Sequence, residues 1–426
     1  MAVLVQKYGG SSLATLAKVR LVANRVAHEH RAGRATVVVV SARGDTTDDL
    51  LRLACEVHPD VQTDAESATA REVDQLLVTG EAAAAAQLAL ALLRIGVPAV
   101  SLTGPQAGIR VTGRHGAAVI DSIDPARVLG LLDAGNVVVI GGFHGSTVDG
   151  DVATLGRGGS DTTAVAVAAA LGAEQCEIFT DVDGVYTADP RIVPGARKVA
   201  TVDPGVMAEL AFAGAGVLHS RAVELAAMKD VVLHVRNSAG HELGTAVLNT
   251  GADGPLETSG AVVAVTHDRD VARILVQARG GTDLATEVLA ILARHSVPVD
   301  LIARSGPHED EFRMGFTIRR SDVAEVRQAL EAAAGTRDGS VRVDENVTKV
   351  SLIGTGLLSR PTYIARMTAA LSAAGIPTSW VFTSQLRASV TVPADRALDA
   401  VTLLHDEFGI GQDTGKDATP DLRRPA

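Results

Sequence analysis

The first half of the chain alternates short apolar runs with amphipathic stretches. Residues 2–7 and the β-branched run at residues 36–40 have the composition of buried strands. Between them apolar residues recur at helical spacing, at Leu13, Leu16, Val19, Val22 and Val26, and Gly33 ends this helix. Further short apolar strands follow at residues 97–102, 137–140, 177–179 and 231–235. This alternation predicts an α/β fold, a three-layer αβα sandwich around a mostly parallel sheet.

Polar residues stand where the predicted strands end. Lys7, Ser41, Phe143 and Thr180 each close or follow a strand. Because the carboxyl ends of parallel strands meet at one edge of a sheet, these residues are expected to share one crevice. A long helical region covers residues 68–96, and we expect Thr79, Gly80 and Glu81 to interrupt it.

The pattern changes after Asn249. Residues 251–261 are rich in Gly, Asp, Thr and Ser and are predicted to be a linker between a first domain, residues 1–250, and the rest. Beyond the linker, the same order of elements is predicted for residues 262–330 and for residues 347–408, namely strand, helix, strand, strand, helix. Two unrelated α+β segments are one interpretation, but the shared order favours two ferredoxin-like βαββαβ modules, at 262–340 and 345–411. Residues 412–426 are expected to be a disordered tail.

Composition narrows the class of protein. The 426 residues are 46% hydrophobic, enough for two or three domains with substantial cores. A net charge of −11 and 3% aromatic residues argue against a nucleic-acid partner. Cys55 and Cys176 lack metal-type spacing and are expected to be reduced thiols. No uninterrupted apolar stretch reaches the roughly 18 residues of a membrane span, and the apolar N-terminal run is too short for a signal peptide. We therefore expect a cytoplasmic protein without a membrane partner.

The most distinctive stretch is TLGRGGSDTTAVAVAAALG, residues 154–172. Glycines surround Arg157, and Ser160 and Asp161 open an alanine-rich helix. Glycine lets a backbone approach a bound group, and a helix start presents N–H groups and a positive dipole end to an anion. The guanidinium of Arg157 suits a carboxylate or a phosphate. An ordinary N-cap by Ser160 or Asp161 explains the same residues, so this stretch alone leaves both interpretations open.

Four further motifs accompany this stretch in a fixed order. They are KYGGSS at residues 7–12, SARGDTT at 41–47, TGE at 79–81 and TDVDGVYTADPR at 180–191. Together with GRGGSDTTA they resemble aspartate kinases of the amino-acid kinase superfamily, and the two C-terminal repeats resemble the tandem ACT domains of those enzymes. The resemblance covers essentially the whole chain, most strongly up to Asn249. It implies an amino-acid kinase-like catalytic domain, two ACT-like modules, and a homodimer or higher homo-oligomer formed through the modules.

The resemblance also implies a reaction and a site. The reaction is ATP-dependent phosphorylation of the β-carboxylate of L-aspartate, the first step of the aspartate-family amino-acid pathway. The residues that the family pattern assigns to catalysis are Lys7 and Asp161. Those assigned to ATP are Lys7, Tyr8, Gly9, Gly10, Thr180, Asp181, Tyr186 and Arg191. Those assigned to aspartate are Ser41, Thr47, Glu81, Arg157 and Ser160. Mg²⁺ is expected to enter with ATP, with few protein ligands.

Several of these residues also have simpler interpretations. Lys7 alone could be a solvated lysine, Glu81 alone a first-turn helix glutamate and Asp161 alone a helix cap. The chemistry favours the site, since transfer between anions depends on positioning and on electrostatic stabilisation. The DVDG segment could suggest a calcium loop, but the bidentate glutamate that such a loop needs is missing at the expected spacing. We therefore expect no dedicated metal site.

Some positions depart from the family pattern. Gly216 stands where the family usually has a lysine that contacts nucleotide. The charge-assisted contact that is lost with this lysine is worth about 1.5–3 kcal/mol, which corresponds to about tenfold to a hundredfold in binding affinity. Arg43 replaces a usual methionine and is expected to place an extra cation near the substrate loop. His144 replaces a usual glutamine. We expect these changes to weaken or retune ATP use, and we interpret His219 as structural.

The two modules depart further. In the family a Pro-Gly pair opens the first helix of each module and helps to receive an effector. Residues 280–282 are Gly-Gly-Thr, residues 360–362 are Arg-Pro-Thr, and Ala303-Arg304 replace a usual Gln-Asn pair. We hypothesise that feedback inhibition by lysine or threonine is weak or absent, as in a paralogue of a specialised pathway. Two alternatives stay open: a kinase for another amino or carboxylic acid, and a catalytically inactive paralogue that senses an amino acid.

Overall fold

The computed structural model describes residues 2–59, 61, 68–173, 175–240, 242–249, 262–279, 283–305 and 311–410. The strands of the N-terminal part are β1 (Val3–Tyr8), β2 (Ala35–Val40), β3 (Ala99–Leu102), β4 (Ile109–Thr112), β5 (Val119–Ile123), β6 (Val137–Gly141), β7 (His144–Ser146), β8 (Val152–Thr154), β9 (Gln175–Thr180), β10 (Thr201–Val202), β11 (Val232–Asn237) and β12 (Thr245–Val247). Its helices are α1 (Gly10–Leu13), α2 (Leu16–Arg31), α3 (Thr46–Val57), α4 (Ala68–Arg94), α5 (Ala126–Asp133), α6 (Gly159–Ala170), α7 (Pro204–Phe212) and α8 (Ser220–Met228).

Eight of these strands form one sheet, in the order β10-β12-β11-β9-β1-β2-β6-β3. Strand β1 lies near its middle and pairs in parallel with both β2 and β9. The pairing of β11 with β12 is antiparallel and the others in this sheet are parallel. Apolar clusters cover both faces, which is why runs such as residues 37–40 can be fully buried. The predicted αβα sandwich with a mostly parallel sheet is therefore confirmed.

A small second sheet, β5-β4-β7-β8, was not predicted from the sequence. Its strands have three to five residues, too short to stand out as apolar runs. Strand β8 ends at Thr154 and leads directly into the glycine-rich loop before α6. The sheet therefore positions the most distinctive motif of the chain.

Helix α4 runs unbroken through residues 79–81, where the sequence predicted an interruption. Gly80 is accommodated because a Cβ there would lie 2.9 Å from the Cβ of Ala42 and 3.3 Å from the Cγ2 of Thr46. Its missing side chain lets α4 pack closely against the loop that follows β2. By length and composition α4 could span a membrane. In this fold it packs against α2, β3 and β6 as a core helix.

The C-terminal part contains two antiparallel four-stranded sheets. The strands are β13 (Val262–Asp268), β14 (Ala272–Arg279), β15 (Asp300–Ser305), β16 (Glu311–Ile318), β17 (Ser340–Asp344), β18 (Val347–Gly354), β19 (Ser379–Thr383) and β20 (Arg387–Pro393). The helices are α9 (Leu284–Arg294), α10 (Val323–Gly335), α11 (Thr362–Ala373) and α12 (Ala397–Glu407). The sheet orders are β15-β16-β14-β17 and β13-β18-β20-β19. Two ferredoxin-like modules are present, as predicted.

The division of the chain between the modules differs from the sequence-based one. We assigned β13 to the first module, but it pairs antiparallel with β18 of the second. The first module therefore spans residues 272–344 and is inserted between β13 and β18. Apolar alternation identifies a strand without specifying its partner, which explains the difference. The predicted linker, the predicted tail and the Gly-Gly-Thr segment at residues 280–282 lie outside the described residues.

A buried ion-pair network joins both modules to the N-terminal domain. Arg387 of β20 contacts both carboxylate oxygens of Asp300 in β15, at 2.7 and 2.9 Å, and the carboxylate of Glu209 in α7 at 2.9 Å. Lys349 of β18 lies 3.1 Å from Asp300. Burial alone would raise the pKa of Asp300, but the hydrogen bonds from Arg387 and the charge of Lys349 lower it to about 2. Charges so far from water are stable only while they remain paired.

This network gives a stability prediction. Arg387→Met leaves the carboxylates of Asp300 and Glu209 without their shared guanidinium, and we expect a loss of about 3 kcal/mol in the free energy of unfolding, measured in urea. Arg366→Met is the matched control, because Arg366 is 49% exposed in its pair with Glu407. The control should cost less than about 1 kcal/mol. Equal losses would contradict a special role for the buried network.

Candidate active site

Lys7 and Asp161 form an ion pair at the centre of the N-terminal domain. The Nζ of Lys7 lies 2.6 Å from the Oδ1 of Asp161, and each side chain is 12% exposed. Lys7 stands near the end of β1, and Asp161 lies in the first turn of α6. The N-cap of α6 is Gly158, and no side chain among the described residues caps this helix. The simple N-cap interpretation of Ser160 or Asp161 is therefore wrong, and Asp161 pairs with Lys7 instead.

Two cavities meet at this ion pair. We call one the α4 cavity, of about 640 Å³, because Asp74, Leu77 and Glu81 of α4 line it. We call the other the module cavity, of about 540 Å³, because Asp300 and Lys349 of the modules line part of its wall. The residues that line both are Lys7, Arg157, Gly158 and Asp161. Both volumes are typical of small-molecule sites.

The α4 cavity gathers every residue that the sequence assigned to the amino acid. These residues are Ser41, Thr47, Glu81, Arg157 and Ser160. They come from the ends of β2 and β8, from α3, from the middle of α4 and from the start of α6. Residues far apart in sequence therefore line one space, although their contacts with a ligand stay predictions.

Glu81 is the most unusual of them. Its side chain is buried, its Oε1 accepts a hydrogen bond from the backbone N–H of Ala42 at 3.2 Å, and its Oε2 has no partner in the described part of the chain. Burial raises the pKa of Glu81 to about 7, although the hydrogen bond from Ala42 opposes the rise. A buried, unpaired carboxylate oxygen is costly unless a ligand satisfies it. Glu81 lies in the middle of α4, so it is not a first-turn helix glutamate.

Asp74 is a site residue that the sequence did not reveal to us. It is 1% exposed and accepts hydrogen bonds from the N–H of Thr154 at 2.9 Å, its hydroxyl at 2.6 Å and the N–H of Gly116 at 3.0 Å. The ring of His115 lies 3.0 Å away. Asp74 therefore anchors two loops of the cavity wall to α4. Its spacing of seven residues from Glu81 was the available signal, because two helical turns place both on one face.

The residues assigned to ATP divide into two groups. Lys7, Gly9, Thr180 and Asp181 line the module cavity. The ring of Tyr8 is fully buried and stacks on Phe179 at 4.6 Å, and its hydroxyl donates to Gln6 at 3.2 Å. Gly10 allows a close approach to the next loop, because a Cβ there would lie 2.6 Å from the carbonyl oxygen of Ala42. Tyr8 is therefore part of the core and its contact with ATP stays a prediction, while Gly10 serves loop packing.

The second half of the TDVDGVYTADPR motif docks on the second module. Ala188 belongs to the apolar core of that module, and the hydroxyl of Thr187 lies 3.1 Å from the ring of His405 in α12. Tyr186 forms an isolated bridge with Lys198, and the exposed Arg191 pairs with Asp189 at 2.7 Å. Tyr186 and Arg191 lie outside the described lining of the module cavity. Their contacts with ATP stay predictions.

Two departures from the family pattern prove to be structural. The guanidinium of Arg43 donates to the carbonyls of Leu13 and Ala14, at 2.9 and 3.1 Å, and to the side chain of Gln87 at 2.7 Å. Arg43 therefore fixes the turn between α1 and α2, and it is not among the described residues that line the α4 cavity.

His144 is the second of these departures. Its Nδ1 lies 2.8 Å from the carbonyl of Gly142, and its Nε2 accepts from the N–H of Gly104 at 3.0 Å. Burial lowers the pKa of His144 to about 4, so the ring is neutral at neutral pH. These two hydrogen bonds occupy both ring nitrogens and make His144 a structural residue.

His219 and Gly216 lie on the wall of the module cavity. The ring of His219 packs so closely on the start of α6 that a Cβ on Gly158 would lie 2.1 Å from its Cγ. His219, which we interpreted as structural, therefore combines that packing with a position in the cavity wall. Gly216 has a φ of +65° and contributes no charge where a lysine was expected.

Comparison with known proteins agrees with this architecture. A family model described as the amino acid kinase family matches residues 2–237, and an ACT domain model matches residues 350–408. The aspartokinase of Thermus thermophilus is 42% identical over 96% of this chain and 99% of its own length. That of Mycolicibacterium smegmatis is 43% identical over 97% of each chain. The crystal structure of E. coli aspartokinase III in complex with aspartate and ADP has a TM-score of 0.76 and 25% identity, and the match covers 95% of this chain and 99% of that one.

The fold and the family match therefore define an enzyme of the amino acid kinase family with C-terminal ACT domains. The sequence identities of 42% and 43% to aspartokinases, over nearly the full length of the chain, identify the family within this class. The chain belongs to the aspartokinase family, and the recognition made from its motifs is confirmed.

The glycine at the start of α6 gives a matched pair of variants. Gly158 and Gly172 flank α6 with φ angles of +71° and +63°, but a Cβ meets nothing within 4 Å at Gly172. Gly172→Ala should cost about 1 kcal/mol of stability and retain kinase activity. Gly158→Ala should in addition displace His219 and lower kcat about a hundredfold, because misplacing a site by about 1 Å has that effect. Thermal unfolding and kinase assays of both variants test this, and equal activities would contradict it.

Proposed function

We propose that this protein transfers the γ-phosphoryl group of ATP to the β-carboxylate of L-aspartate. A carboxylate oxygen forms a bond to the γ-phosphorus while the bond to the β,γ-bridging oxygen breaks, giving β-aspartyl phosphate and ADP. The meeting of two cavities at the Lys7–Asp161 pair carries the proposal. The relatives named aspartokinase support it, as does the E. coli enzyme that holds aspartate and ADP.

The α4 cavity offers complementary groups for aspartate. The buried Oε2 of Glu81 is an acceptor for the α-ammonium group. Arg157 and the backbone N–H groups at the start of α6, near Ser160, suit a carboxylate. The hydroxyls of Ser41 and Thr47 complete the polar lining. This arrangement brings the other carboxylate toward the side of the cavity that Lys7 shares with the module cavity.

Lys7 is the catalytic residue in this proposal. Phosphoryl transfer between anions depends on positioning and on neutralising the charge of the transferring group. Lys7 lines both cavities and supplies that cation, while Asp161 positions the ammonium through its 2.6 Å contact. No covalent intermediate with the protein is required.

The donor set fits Mg²⁺ that arrives with ATP. Among the described residues no group of three or more His, Cys, Asp or Glu side chains is placed to hold a metal ion. Mg²⁺ is usually held by one or two carboxylates together with substrate phosphates and water, and Asp181 provides such a carboxylate in the module cavity. When bound, Mg²⁺ neutralises charge on the phosphates.

The function is tested by trapping the acyl phosphate. With Mg-ATP, L-aspartate and hydroxylamine, we expect the unaltered protein to form aspartyl hydroxamate. Lys7→Met and Asp161→Asn should each lower the rate at least a hundredfold, since they remove the cation or its orientation. The exposed Lys229 provides the control variant Lys229→Met, which should retain full activity. Full activity in the Lys7 or Asp161 variant would refute the assigned roles.

A panel of other acids decides between the alternatives. Faster turnover of another amino or carboxylic acid would support a related kinase, and no turnover of any acid would support an inactive sensor. Adding lysine and threonine to the same assay tests the proposal of weak feedback in a specialised pathway. Homo-oligomer formation through the modules and a cytoplasmic location remain parts of the proposal.

The elevated pKa of Glu81 gives a pH prediction. As pH falls through about 7, Glu81 becomes protonated and loses its attraction for an ammonium group. We therefore expect kcat/KM for aspartate to fall about tenfold per pH unit below pH 7 and to level off above it. Glu81→Gln should lower kcat/KM at pH 8 and abolish this acid limb. An unchanged limb in the variant would show that another group titrates.

A further inference from the structure

The first module contributes a cation to the module cavity. Arg319 follows the last residue of β16, is half-buried, and lines this cavity together with residues of β1, α6 and β9. The proposed nucleotide site is therefore bounded partly by the C-terminal half of the chain. Arg319 belongs to none of the motifs by which the sequence was recognised.

The other cations of the module cavity already have roles. Lys7 pairs with Asp161, and Lys349 pairs with Asp300. Arg157 also lines the α4 cavity, where it suits the carboxylate of the amino acid. Arg319 makes no ion pair within the described part of the chain. Its guanidinium is therefore a cation of this cavity that has neither an ion-pair partner in that part of the chain nor a part in the phosphoryl transfer proposed above.

Hydrogen bonds donated to Asp270 hold the turn that carries Arg319. The side chain of Asp270 accepts from the N–H of Ser321 at 3.1 Å and lies 3.2 Å from its hydroxyl. The carbonyl of Asp270 accepts from the N–H of Arg320 at 3.3 Å, and the carbonyl of Arg319 accepts from the N–H of Asp322 at 3.0 Å. The base of the Arg319 side chain is therefore fixed relative to the cavity, which lowers the entropic cost of binding.

The neighbours of Arg319 indicate which end of a nucleotide it meets. Burial and then the positive charge of Arg319 lower the pKa of His219. His219 in turn packs on Gly158 at the N-terminus of α6, the helix that carries Asp161. Arg319 and His219 line the same cavity as Gly158 and the Lys7–Asp161 pair, which is where the phosphates lie in the proposed reaction.

We propose that Arg319 binds the polyphosphate of the nucleotide, so that the first module completes the nucleotide site. The planar guanidinium suits two phosphate oxygens at once. The identity of the ligand as a nucleotide rests on the proposed function. In this arrangement nucleotide affinity depends on how the first module packs on the N-terminal domain, and Gly216 lines the same cavity without adding a charge to it.

The test compares ligands with and without phosphate. Mg-ADP and adenosine are titrated against the unaltered protein, Arg319→Gln, Arg319→Lys and the control Arg320→Gln, whose arginine is exposed in the same turn. We expect the Kd for Mg-ADP to rise about tenfold or more in Arg319→Gln and less in Arg319→Lys. The Kd for adenosine should stay within twofold, as should both values in Arg320→Gln. In kinase assays the KM for ATP should rise while the KM for aspartate is unchanged.

Each other outcome has a defined meaning. A Kd for Mg-ADP within twofold of the unaltered value in Arg319→Gln overturns the inference, and so does an equal loss of adenosine affinity, which would indicate a structural role. If Arg319→Gln does not fold, the Kd values of Arg319→Lys for Mg-ADP and adenosine are judged by the same two criteria. Binding of Mg-ADP without phosphorylation of aspartate overturns the proposed function and leaves the titration to judge Arg319. No nucleotide binding by the unaltered protein overturns both.

Discussion

The ion pair between Lys7 and Asp161 is the contact on which the site depends. An ammonium and a carboxylate that are both largely removed from water need one another, and this pair locks the end of β1 to the start of α6. Close packing makes the approach possible, because a Cβ on Gly142 would lie 3.0 Å from that of Ser160. Phe143 beside it has a left-handed φ of +77°, and its N–H donates to Thr163 at 3.1 Å. Such backbone strain is found mainly at functional sites.

The hydrogen bonds of the two buried carboxylates on α4 distinguish a structural residue from a functional one. Asp74 and Glu81 share one face of the helix and line the same cavity. The carboxylate of Asp74 has four hydrogen-bond partners within the protein, so it is satisfied without a ligand. Glu81 has one donor and one open oxygen. The difference shows why the type and position of a residue do not by themselves reveal its role.

The two modules are built into the catalytic half rather than attached to it. Strand β13 enters the sheet of the second module, and the N–H of Val265 in that strand donates to the carbonyl of Thr187 at 2.9 Å. Arg387 joins both modules to α7, and the loop after α7 carries Gly216 into the module cavity. A shift of either module therefore changes the surroundings of the proposed nucleotide site. This arrangement couples the packing of the modules to the proposed nucleotide site.

The sequence by itself determined the αβα sandwich, the two modules and the family, and it singled out Ser41, Thr47, Glu81, Arg157 and Ser160, which line the α4 cavity together with residues it did not single out. Apolar residues that recur with the period of a strand or a helix define these elements locally, and the ends of parallel strands meet at one edge of the sheet. Of the four residues predicted to share one crevice, Lys7, Ser41 and Phe143 line the α4 cavity, whereas Thr180 lines the module cavity, which Lys7 also borders. Only the tertiary structure decided the partner of β13, the burial of Tyr8, the hydrogen bonds of Arg43 and the position of Arg319. The reason is physical. A local pattern specifies what an element is, whereas its partner and the groups that face its side chains depend on packing between segments far apart in the chain.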